Sequence, residues 1–213
     1  MDRQHQTDQH VRDEQLQLLF AGLPSSLLAT LVLLLLTAAV AELTGEVDTT
    51  QVAIAGGDIL LVTASRFLLW LAHRSRRQRE NISWSMLFFI GSVAAGASWG
   101  VAAILIFPAG DTDAQSFLAF LIAGVSAGAV TTLAADQRAA LGFVLPCVLP
   151  LSLRLLLEPG VFSVMMGIMV ALYAFVISAA GLRLSQQIRE NVVLRLQASE
   201  QQRTQEQIGR AHV

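Results

Sequence analysis

Six apolar stretches, each near twenty residues long, dominate this chain. They occupy residues 23–43, 54–72, 86–107, 117–135, 139–157 and 161–182. A helix needs about 20 predominantly apolar residues to cross roughly 30 Å of hydrocarbon, so each stretch suits one crossing. Only 14% of the 213 residues are charged, against about a quarter in a soluble domain. The chain therefore lacks the polar surface to cover itself in water. The expected fold is all-α: a polytopic membrane bundle of six transmembrane helices, followed by a polar helix. The second stretch carries the weakest signal, because Asp58 and Arg66 interrupt it.

Charge placement orients that bundle. All 14 cationic residues are arginine, and 11 of them fall in segments that alternating crossings would put on one side. These are Arg3 and Arg12, then Arg74, Arg76, Arg77 and Arg79 in the link between the second and third stretches, then Arg138, Arg183, Arg189, Arg195 and Arg203. The opposite loops, at 44–50, 108–116 and 158–160, contain acids and no arginine. Under the positive-inside rule the arginine side is cytoplasmic, so both termini are expected there. The run at 73–79 is expected to touch lipid headgroups and sits too close to the membrane to serve nucleic acid. The expected location is the bacterial inner membrane.

Residues 1–16 read as a polar cytoplasmic tail and 17–183 as the membrane region. The first apolar stretch is too long for a signal-peptide core and follows an acidic tail. Residues 184–207 contain no Gly or Pro. Within them Leu184, Ile188, Val192 and Leu196 recur every fourth position, a stripe on one helix face. Asn191 and Arg195 break a strict heptad. The segment predicts a cytoplasmic stalk helix, through which a homodimer is expected. Residues 208–213 resemble the translation of a sequencing adapter, which predicts a non-native tail and a native chain cut near Gln207.

Several short patterns carry competing meanings. Gly124-Val125-Ser126-Ala127-Gly128 fits a nucleophile-elbow pattern, but an elbow needs a strand–turn–helix setting with a histidine and an acid. Small-xxx-small helix packing is the better reading of Gly124 and Gly128, and of Gly91, Gly96 and Gly100. It predicts that the third and fourth helices pack closely. Gly56-Gly57-Asp58 lies inside an apolar run and cannot form a GGDEF turn. Charges within the membrane are the strongest functional pointers: Asp58, Arg66 and Arg154 are the ligand or intramembrane charge candidates. Arg66 can snorkel to the cytoplasmic headgroups and Arg154 to the opposite interface. Asp58 and Arg154 lie at similar depth, so they either pair or each reach water. Pro146 and Pro150 remove two backbone donors from the fifth helix and read as a hinge or a static kink. The single cysteine, Cys147, excludes an internal disulfide, and no metal, haem or nucleotide motif is present. No cofactor and no catalytic residue is expected.

Trp99-Gly100 with Leu105-Ile106-Phe107-Pro108, Gln115-Ser116-Phe117-Leu118-Ala119-Phe120 and the run 123–130 form one ordered pattern. Leu145-Pro146, then Leu149-Pro150-Leu151-Ser152-Leu153-Arg154-Leu155-Leu156, and the exit Ile188-Arg189-Glu190-Asn191 with Leu194-Arg195-Leu196 continue it. Together they resemble the N-terminal six-helix sensory region of bacterial signalling proteins. Such regions are fused to GGDEF diguanylate cyclases, with or without EAL domains, or to sensor histidine kinases. The likeness runs over residues 18–202. It implies a non-catalytic input module of unknown ligand with a cytoplasmic output domain beyond the stalk. This chain stops before any such domain, so no catalytic residue carries over. The alternative expectation is a small transporter or permease.

Overall fold

The computed structural model describes residues 22, 27–28, 30–35, 37, 49–75 and 84–211, with side chains omitted at 49, 73–75, 196–197 and 199–211. All regular structure among them is α-helix. We label the helical residues within 22–37 as α1, followed by α2 (Thr49–Ser75), α3 (Trp84–Leu105), α4 (Thr112–Thr132), α5 (Gln137–Leu157) and α6 (Val161–Ala211). Five of these, α2 to α6, are long and apolar enough to cross a membrane. At the helical rise of about 1.5 Å per residue, the 22 residues of α3 span roughly 33 Å, close to the hydrocarbon thickness. Large apolar side chains point outward, among them Phe120 at 79% and Phe175 at 72% exposure. These are the surfaces of a membrane protein, for which lipid and not water is the solvent.

Local chemistry sets the helix ends. Asp111 caps α4, its carboxylate accepting from the Asp113 and Ala114 amides at 2.9 and 3.1 Å. Asp136 caps α5 by accepting from the Arg138 amide at 2.9 Å. A cap of this kind satisfies amides that no helical carbonyl can reach. Capping at Asp136 also explains why the fourth crossing stops at Thr132, three residues before the expected end. Residues 133–135 form the turn into α5. Glu158 precedes Pro159, which disfavours helical backbone at 158, and Gly160 then takes φ +135, a conformation that favours glycine.

The bundle is organised around α5. Val144, Cys147, Val148, Leu151 and Leu155 are wholly buried, a stripe at helical spacing. α5 packs most extensively on α3 and α6, and α4 contacts both α5 and α6. α2 packs on α3. Contacts run in register: Gly96 and Gly100 of α3 meet Phe143 and Pro146 of α5. Likewise Gln115 and Ser126 of α4 meet Ser163 and Tyr173 of α6. Hence α3 runs parallel to α5, and α4 to α6.

The glycines correct the expected α3–α4 seam. α3 and α4 touch only marginally. A Cβ on Gly96 or Gly100 would collide with a backbone carbonyl of α5, whereas one on Gly124 or Gly128 meets nothing within 4 Å. Gly96 and Gly100 are the close-packing positions, and their partner is α5. A Cβ on Gly91 would make only ordinary contact, 3.6 Å from Cγ of Arg66.

Candidate functional site

Gly124 and Gly128 leave space because they line a cavity. It measures about 260 Å³ and is bounded by residues from α1 to α5. Its wall runs from Ser98 and Trp99, midway along α3, to Thr131 and Thr132 at the α4–α5 turn. Arg66 of α2 lines it and is only 8% exposed. Its position in the sequence would allow Arg66 to snorkel to the cytoplasmic headgroups. Instead the side chain is enclosed by the bundle, with its aliphatic stem beside Gly91 of α3.

Arg66 finds no ion-pair or hydrogen-bond partner among the described residues. A charged side chain enclosed within a membrane span is costly unless it is paired, and arginine keeps its proton in proteins. The neighbouring donors are also open. Ser98, 6% exposed, and Thr63 have no hydrogen-bond partner among the described residues, nor does the Trp99 indole. The Thr131 and Thr132 hydroxyls, by contrast, donate to helix carbonyls of Gly128 and Ala129. No carboxylate lines the cavity.

A second cavity of about 300 Å³ lies toward the α3–α4 turn. Its lining is apolar except for Thr37, whose hydroxyl is satisfied by the Leu33 carbonyl at 2.8 Å. Ile59 and Trp99 line both cavities and so stand between them.

At that same end Arg154 belongs to a different structure. It donates to Glu158 at 2.6 Å and its guanidinium carbon sits 4.2 Å from the Phe107 ring centroid. Glu158, 7% exposed, also accepts from the Gly110 amide at 3.1 Å. One carboxylate thus ties the α3–α4 turn to the end of α5. Of the two alternatives for Asp58 and Arg154, the pair is not formed, because Arg154 is engaged by Glu158 one helical turn along its own helix. Asp58 is half-buried on α2.

Pro146 and Pro150 sit inside an unbroken α5. Pro150 removes the amide that would have bonded the Pro146 carbonyl, and Gly100 packs on that carbonyl. The prolines therefore border a tight helix contact and line neither of the two cavities described above. Cys147 is wholly buried. The Arg74 side chain and Arg76, Arg77 and Arg79 lie outside the described residues. No group of three metal-ligating side chains occurs among the described residues.

Comparison with family models, curated proteins and solved structures finds no match. The site therefore rests on its own chemistry. Of the residues singled out in the sequence, Arg66, Gly124 and Gly128 meet at this cavity, while Gly100, Pro146 and Pro150 meet at the α3–α5 contact. Ser98 and Thr63 have no counterpart in the sequence reading, since isolated hydroxyls in apolar helices carry no positional signal until the helices are assembled, and the place of Trp99 beside the cavity emerges only there.

Proposed function

We propose that this chain is a non-catalytic transmembrane input module of a bacterial signalling protein. It lies in the cytoplasmic membrane with both termini inside. It passes a ligand or membrane signal through α6 to a cytoplasmic output domain, a diguanylate cyclase first and a histidine kinase second. The supporting observation is the continuity of α6. It is one helix of 51 residues, roughly 76 Å at the helical rise, more than twice the hydrocarbon thickness. Its first half packs on α4 and α5 through Ser163, Gly167 and Tyr173. Its second half carries Arg189, Arg195, Arg203 and Arg210. A shift of packing in the first half moves the second as a rigid body, and two such states with different ligand affinities are what a switch requires.

The test needs no knowledge of the stimulus. Residues 1–207 are fused to a diguanylate cyclase domain, and one to seven alanines are inserted after Ala198. Each insertion turns the output by about 100°. Cyclase activity is expected to rise and fall with a period near 3.6 residues. A flat or steadily falling series would sink the reading.

A second reading, a small permease, draws support from the two cavities stacked along the bundle, since transporters bind near the midplane. Against it, α2 to α5 are unbroken where such sites use interrupted helices. The insertion series separates the two, because a permease has no output to rotate.

A further inference from the structure

We propose that the two stacked cavities form one binding site for an anionic amphiphile, with a carboxylate or phosphate head at Arg66 and an apolar chain passing Trp99 into the second cavity. Three observations converge. Arg66 is more than nine-tenths buried and lacks any partner among the described residues. Ser98 and Thr63 add donors without acceptors on the same cavity. These donors match a head with several acceptor oxygens, and an oxyanion meets a guanidinium in two-pronged geometry. A neutral or cationic head leaves Arg66 uncompensated.

The second cavity fixes the other half of the ligand. Apart from the Trp99 indole at its boundary it offers no free donor, since Thr37 is already bonded. A small anion alone fills only the Arg66 chamber and leaves the apolar one empty. A chain attached to the anion would fill both, and Gly124 and Gly128 leave room for it in the first chamber. The gate between the chambers is Ile59 and Trp99, apolar surfaces that favour a methylene chain over a polar one. The source of such a molecule is either free in the membrane as a fatty acid or part of a bilayer lipid. Both present the same head chemistry.

This inference deepens the input-module reading only in making the amphiphile the stimulus. Binding is measured on this chain alone, so its failure leaves the insertion series as an independent test of coupling. The whole chain is placed in phosphatidylcholine nanodiscs and titrated with dodecanoate by calorimetry and by Trp99 fluorescence, with Trp70 and Trp84 changed to Phe. Saturable binding is expected, at least tenfold weaker in Arg66→Gln and several-fold weaker in Ser98→Ala. Ala103→Leu, which fills the apolar chamber, should weaken dodecanoate and leave acetate unchanged. Ser98→Ala and Ala103→Leu keep the test open should Arg66→Gln fail to assemble. Equal affinity for dodecanol, or for acetate, would overturn the proposal, as would unchanged binding in Arg66→Gln. Discs of phosphatidylglycerol distinguish the sources: loss of titratable binding there assigns the head to a bilayer lipid, and retained binding assigns it to the free acid.

Discussion

Gly100 of α3 lies directly on the backbone carbonyl of Pro146 in α5, with the Pro150 ring beside it. The carbonyl is free because Pro150 has no amide to offer it. In lipid, a freed carbonyl must find a partner within the protein. Here the Cα–H groups of Gly100 approach it, a contact worth roughly 0.5–1 kcal/mol. Sequence positions 46 apart thus complete one another.

Substitution at this contact should be severe. A side chain on Gly100 has no room, and overpacking of this kind costs about 1–3 kcal/mol. In a chain of this size that corresponds to roughly 2–12 °C in Tm. Thermal unfolding in mild detergent should show Gly100→Leu losing several degrees or failing to assemble. Gly124→Ala, which meets open space, should leave Tm within a degree or two.

The Glu158 carboxylate should behave as a latch. It is buried and takes two donors, Arg154 and the Gly110 amide. Hydrogen bonds to charged groups contribute about 1.5–3 kcal/mol. Glu158→Ala should therefore lower Tm by several degrees. Arg154→Ala alone should cost at least as much, since it strands a buried carboxylate. The double variant should recover part of the loss. Strict additivity in the double-mutant cycle would argue that the two side chains do not interact.

Tyr173 should report on the α4–α6 seam. Its hydroxyl donates to the Ala123 carbonyl at 2.8 Å and lies 2.9 Å from the Ser126 oxygen. Tyr173→Phe should cost about 1 kcal/mol, the usual net value of one such bond. Ser126→Ala should cost less, because its bonds to Ile122 and Ala123 are local to α4. Equal losses would mean that the seam is not held by the tyrosine.

Much of this architecture was legible beforehand. Length and apolarity alone mark α2 to α6, and Asp111, Asp136 and Pro159 sit where helices turn. The partner of each helix was not legible. Small residues announce close approach without naming what approaches, so Gly96 and Gly100 were expected against α4 and lie against α5. Charges mislead similarly. Arg66 and Arg154 look alike in the sequence, each a cation near one end of an apolar run. One finds Glu158 a turn away, while the other is enclosed with open hydroxyls that belong to different helices. Only assembly distinguishes a latch from a binding group.

The account stands most directly on where α6 delivers its end. Two reporters test this on the same chain: a fluorescent protein that matures only in the cytoplasm and a phosphatase active only outside it. Each is fused after Gln207 and, separately, at Gly110. The account predicts bright fluorescence without phosphatase activity at Gln207, and phosphatase activity without fluorescence at Gly110. Phosphatase activity at Gln207 would contradict it.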